Sequence, residues 1–139
     1  MITYQVEQWS DCMPELRELW MAHWNEVAMN KDKIPLEPNY EMYSWIEAQG
    51  QLHVLTARCD GKVIGYHVSV VRPHLHYASS LSSFTDMYYI SPEHRKGMVG
   101  VRLFKEAETS LKARGVQKMF TGTKLSLDMS RIFEHLGWT

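Results

Sequence analysis

YYISPEHRKGMVGVRLFKEAETSLKARG, residues 88–115, runs from an aromatic and β-branched segment, through a basic turn with two glycines, into a long amphipathic pattern. Val99, Leu103, Phe104, Ala107 and Leu111 repeat at helical spacing, and Glu108 and Lys112 stand at i, i+4 on another face. Gly115 is placed to end that helix. Arg95, Lys96, Gly97 and Gly100 therefore fall at a helix N-terminus, where free backbone N–H groups and the positive end of the helix dipole face outward. Two readings are open. The segment is a tight strand-to-helix turn, or it is a seat for an anion such as phosphate or pyrophosphate. Neither a Gly-x4-Gly-Lys-Ser/Thr loop nor a Gly-x-Gly-x-x-Gly dinucleotide pattern is present.

Outward from this segment, strand and helix signals alternate. Residues 2–7 form a first strand. Ser10 or Asp11 offers an N-cap for a helix carrying Leu16, Leu19, Trp20, His23, Trp24 and Val27 on one stripe. The two prolines and turn-formers of 30–39 make a loop. A shorter helix follows at 40–48, then a hairpin of 51–59 and 62–71 about Asp60-Gly61. Strand 84–91, the helix from Gly97 to Gly115, strand 116–125 and a last helix over 128–138 complete the order β-α-α-β-β-β-α-β-α. This is an α/β mixture with a hairpin sheet and one β-α-β crossover.

The bulk composition narrows the function classes. The 139 residues suit one domain, 1–139, with 45% apolar and 22% charged residues. A net charge of -1 disfavours a general nucleic-acid binder. Cys12 and Cys59 have no metal or CxxC spacing and read as free thiols of a reducing compartment. The N-terminus shows no leader pattern, and no apolar run approaches the about 18 residues of a membrane helix. A cytoplasmic protein with no membrane partner is expected.

The same segment resembles the acetyl-CoA-binding region of the GNAT superfamily of N-acyltransferases. Ile90-Ser91-Pro92-Glu93 takes the place of the family's strand end, Arg95 opens its loop, Gly100 closes it, and Arg114-Gly115 ends its helix. SRIFEHLGW, residues 130–138, is similar to the family's C-terminal signature, with Leu136-Gly137-Trp138 in the Leu-Gly-aromatic place. The resemblance implies a mixed, mostly antiparallel sheet with flanking helices and a V-shaped splay between the fourth and fifth strands. The family's usual last two strands have no counterpart here, which leads to the expectation of a homodimer covering the sheet edge or of a site unusually open to a large substrate, with capping by another partner as the alternative.

For function, the resemblance implies an N-acetyltransferase passing acetyl from acetyl-CoA directly to a primary amine, on a small molecule or a protein. No metal is required. A non-catalytic CoA-binding or protein-interaction module on the same fold is the alternative. Tyr89 and Ile90 would mount the pantetheine arm, and Arg95, Lys96, Gly97, Met98, Val99, Gly100 and Val101 would cradle the pyrophosphate. Met98 stands where the family usually has its first glycine, which is tolerable if its φ is ordinary and its side chain turns away. Phe133 takes the place of a frequent tyrosine near the CoA sulfur, and Ser126 that of a frequent asparagine.

Catalytic candidates come from the strands. By alternation Phe84, Asp86, Tyr88 and Ile90 share one face of strand 84–91, and Asp86 is the only carboxylate among them. It is a base, or the partner of a cation across the sheet. His67 is a second candidate base or a structural histidine. Tyr88 lines a substrate cleft or packs the sheet. Glu26, Asp32 and Glu37 attract a cationic amine or are solvated surface, and Trp20 and Trp24 read as core. His74 and His76 lack a third metal ligand.

Overall fold

In a computed structural model, which describes residues 1–29, 32–123 and 128–139, the chain folds as β1 (Ile2–Glu7), α1 (Trp9–Val27), α2 (Tyr40–Ala48), β2 (Leu52–Cys59), β3 (Lys62–Pro73), β4 (Leu81–Ile90), α3 (Val99–Ala113), β5 (Val116–Phe120) and α4 (Ser130–His135). A single 3-10 turn, Pro92–His94, joins β4 to α3. The element order is the expected one, as is the mixed five-stranded sheet. The strands lie in the order β1-β2-β3-β4-β5, antiparallel except for the parallel β4–β5 pair. The first helix starts ahead of the expected Ser10 or Asp11 cap, after Gln8, whose side chain makes no capping bond. No helix among the described residues is long and apolar enough to cross a membrane.

Helices cover both faces of the sheet. Against one face, Trp9, Cys12, Leu16 and Trp20 of α1 bury Val54, Val63, Tyr66, Val68 and Tyr89. Tyr43 of α2 stacks on Trp9 with ring centres 5.4 Å apart. Against the other, Leu103 and Ala107 of α3 cover Leu55, Ala57, Ile64 and Ile90. The predicted stripe of α3 is the buried one: Leu103, Phe104, Ala107 and Leu111 are all inside. With helices on two faces, β2 and β3 are buried along most of their length and show no alternation of buried and exposed residues. Arg58 on β2 binds Glu7 of β1 and Glu15 of α1, at 2.9 Å to each carboxylate, and ties the first helix to the sheet.

Two irregularities of β4 open the sheet at its C-terminal half. β5 pairs with β4 only from Leu81 to Phe84. Beyond that the strands diverge, linked by the Thr85 and Thr121 hydroxyls at 2.9 Å and by the Tyr88 hydroxyl donating to the Gly122 carbonyl at 3.0 Å. The expected splay therefore opens at Thr85. On its other side, β4 pairs Met87 with Val68 and Thr85 with Ser69, so Asp86 is an extra residue with no partner on β3. That bulge reverses the facing of side chains along the strand.

Candidate active site

The gap between the diverging strands is one cavity of about 1030 Å³. Its walls come from Thr85–Ile90 of β4, Gly122 and Thr123 after β5, the C-terminal turns of α1 with the loop to α2, and the start of α3. Three features suit it to an extended, anionic ligand.

The first is the edge of β4. From Thr85 to Ile90 the side facing β5 has no strand partner among the described residues, so it is an edge to which an extended ligand can add as a strand. The second is the start of α3. Its first bond is Arg102 N–H to the Met98 carbonyl, at 2.8 Å, and the amides of Val99, Gly100 and Val101 ahead of it have no intrahelical acceptor. No side chain caps this end, and no acidic residue lies in its first turn. The third is the turn itself. Gly97 has φ of +72°, the left-handed conformation glycine favours, whereas Met98 has an ordinary φ of -101° and is 61% exposed. The glycine conformation is thus met one residue earlier than the family pattern has it, and the methionine side chain turns out to solvent. Gly100 borders the cavity, and a Cβ built there would stand 3.9 Å from Ile132 of α4.

Arg95 is engaged inward. Its Nε donates to the Ile90 carbonyl at 2.7 Å, and its two terminal nitrogens bind both oxygens of Glu26, with Nη2–Oε2 at 2.6 Å. Its guanidinium lies 5.3 Å from the Tyr89 ring centre. The hydrogen bonds from Arg95 hold the Glu26 carboxyl below the usual range, and the same bonds raise the Arg95 guanidinium. The Arg95 amide is also spent, on the Pro92 carbonyl. Glu26, expected as a possible amine site, is neutralised by this pair.

Asp86 lines the cavity, but the bulge changes its neighbours. Tyr88 turns to the α3 side, its ring 5.0 Å from that of Phe104, while the Asp86 carboxylate accepts a short hydrogen bond from the Tyr43 hydroxyl on the α1–α2 side. The expected common face of Asp86 and Tyr88 is therefore not formed, because one unpaired residue shifts the period-two alternation. Tyr43 keeps its proton: burial first, then the Asp86 charge, push its pKa well above the ordinary phenol value.

His67 lies outside the cavity. It is fully buried beneath α3, edge-on to Phe104, and burial pushes its pKa down to about 3. A base there would have no route to a substrate, so the structure removes His67 as a candidate. Phe133 also turns away, into a cluster with Phe104, Tyr88 and Trp138, stacked on the last at 5.4 Å. Met129 and Ile132 are the residues near and on α4 that border the cavity. Ser126 lies outside the described residues. Glu37 and Trp24 line the cavity and Trp20 is both core and lining.

Sequence patterns did not single out Tyr43 or His23. His23 borders the cavity, stacks on Tyr89 at 4.9 Å and has Nδ1 2.7 Å from the Tyr66 hydroxyl. Its signal was weak: a titratable residue inside the apolar stripe of α1. Tyr43 carried none, since its partner is 43 positions away.

The sequence matches the acetyltransferase (GNAT) family over residues 6–138, and the chain belongs to that family. By class it is an acyl-CoA-dependent acetyltransferase. Similar solved structures include an aminoglycoside acetyltransferase from an uncultured soil metagenomic sample in complex with trehalose, 13% identical, with 97% of this chain and 86% of that one covered and a TM-score of 0.75. The aminoglycoside N-acetyltransferase AAC(6')-Iy with a CoA bisubstrate analogue, CoA-S-monomethyl-acetylneamine, is 17% identical over 100% and 91% of the two chains, with a TM-score of 0.72. The ribosomal-protein-alanine N-acetyltransferase from Brucella melitensis biovar Abortus 2308 is 14% identical over 98% and 90%, with a TM-score of 0.71. No curated protein matches the chain.

Proposed function

We propose that this protein is a cytoplasmic N-acetyltransferase that passes acetyl from acetyl-CoA directly to a primary amine. The observation that carries it is the continuity of two backbone features in one cavity: the unpaired β4 edge from Thr85 to Ile90 leads to the uncapped start of α3. When bound, acetyl-CoA supplies an activated acetyl thioester. The chain's residues then divide the work. Ile90, whose backbone faces away from β3, holds the pantetheine arm by strand-like bonds and Tyr89 backs it from the paired side of the strand, while Lys96, Gly97 and the Val99, Gly100 and Val101 amides hold the pyrophosphate. Free N–H groups on the splayed edge are available to polarise the thioester carbonyl.

Attack requires a neutral amine. Asp86 is positioned as its proton acceptor, directly or through water, because it is the carboxylate on the strand that carries the donor. The Tyr43 hydroxyl fixes the orientation of that carboxylate and, with its pKa raised, does not compete for the proton as a base. Tyr88 bridges the two walls through the Gly122 carbonyl.

Titration calorimetry with acetyl-CoA and desulfo-CoA, followed by thiol release across a panel of amines, tests this. Binding of both ligands and amine-dependent thiol release are expected. Failure of either ligand to bind refutes the site, and binding without turnover makes the protein a CoA-binding module.

A further inference from the structure

The acceptor half of the cavity has a composition that selects among amines. The cavity that Asp86 borders is also walled by Trp24, Met29, Ile34, Leu36 and, from β4, Met87. Ile34 is 61% and Met29 55% exposed, so large apolar side chains line a concave surface without being spent on the core. Such exposure in a cleft marks a surface that an apolar ligand covers. Leu36 and Met87 pack against the α1 core and give that wall a firm backing.

Once ion pairs are set aside, the carboxylate, Lys and Arg charge described in the same space is negative. Its described carboxylates are Glu26, Glu37 and Asp86, and its only described Lys or Arg is Arg95. Arg95 and Glu26 cancel each other in their two-point pair. Glu37 and Asp86 remain, beside apolar walls. A ligand with an ammonium group at Asp86 and an apolar body against these walls complements the space. A polyol bearing several ammonium groups would place hydroxyls and charges against Ile34, Leu36 and Met87, side chains that offer no hydrogen-bond partner.

We infer that the acceptor is a small monoamine with an aliphatic or aromatic body, its nitrogen at Asp86 and its body against Ile34 and Leu36. This deepens the acetyltransferase function proposed above and rests on it. No new chemistry is needed: the ammonium gives one proton to Asp86 or water, the N–C(acetyl) bond forms, the C–S bond breaks, and the second nitrogen proton goes to the departing thiolate, which leaves as the thiol.

The test measures acetyl-CoA affinity by calorimetry, then kcat/KM by thiol release for 2-phenylethylamine and hexylamine against spermidine and neamine. The monoamines are expected to exceed both polyamines at least about tenfold, as apolar-pocket contacts of this size allow. Ile34→Ser, at an exposed position where folding is safe, is expected to raise KM for 2-phenylethylamine about tenfold with an unchanged acetyl-CoA Kd. Equal or faster turnover of spermidine or neamine overturns the inference and leaves the enzyme assignment standing. Acetyl-CoA binding with no turnover of any of the four amines also overturns it. Absence of acetyl-CoA binding instead defeats the underlying function.

Discussion

Gly65 stands opposite Ile90 in the β3–β4 ladder, in the half of β4 that has parted from β5 and walls the cavity. A Cβ at this position would lie 2.7 Å from the Tyr89 carbonyl oxygen and 3.0 Å from Ile90 Cγ1. A carbon and a carbonyl oxygen rest no closer than about 3.3 Å, so Gly65→Ala must push β4 away by about 0.6 Å. The obstacle is backbone, which cannot rotate aside. Gly65 is buried and its φ lies outside the left-handed region, so the whole effect is overpacking. Overpacking of this kind costs roughly 1–3 kcal/mol, offset by about 0.4–1 kcal/mol from the stiffer unfolded chain. A net loss near 1–2 kcal/mol lowers Tm by roughly 3–8 °C in a domain of this size. The displaced atoms include the Ile90 backbone, so acetyl-CoA binding should weaken about tenfold. Thermal denaturation and calorimetry on Gly65→Ala measure both, with Gly122→Ala as the stability control, because nothing lies within 4 Å of a Cβ there. A Gly65→Ala protein whose Tm stays within about 1 °C of the parent, and whose Kd stays within about twofold, would refute the packing argument.

Glu26→Gln releases Arg95 from its ion pair beside the start of α3. CoA affinity should rise several-fold at low salt and the gain should shrink as salt is added, read by calorimetry at two ionic strengths. Asp86→Asn should lower kcat/KM about a hundredfold or more, whereas Tyr43→Phe should cost about tenfold, both read by thiol release. His53 and His67 are buried, and burial holds their pKa values near 4 and 3 against an ordinary 6.5. Both stay neutral in the fold but protonate in the unfolded chain, so their contribution is fully present above pH 6.5 and is lost as pH falls towards those folded values. Chemical denaturation should show a loss approaching about 2 kcal/mol per histidine between pH 6.5 and 5, and His67→Gln should remove part of that slope.

The order of elements, the buried stripe of α3 and the turn at Gly97 were legible in the sequence. Each depends on neighbours three to seven residues away, and helix periodicity, glycine conformation and the Asp60-Gly61 hairpin are local properties of the chain. The family motif was legible for the same reason, since its anion seat is built mostly from consecutive backbone amides.

What the sequence could not display were partnerships across long separations and one break in a local rule. Strand alternation placed Asp86 with Tyr88, yet the bulge arises only because β3 and β4 pair out of step at Val68 and Ser69. Nothing near Asp86 in the chain announces Tyr43 as its partner, and nothing near Arg95 announces Glu26, 69 positions earlier. His67 looked like a base because its residue type titrates near neutrality; its burial under Phe104 depends on where α3 docks. By itself the sequence determined the glycine turn into α3 and the fold that carries it. Only the tertiary structure decided which side chains face the cavity, because facing depends on strand register and helix docking, which are sums over contacts distant in the chain.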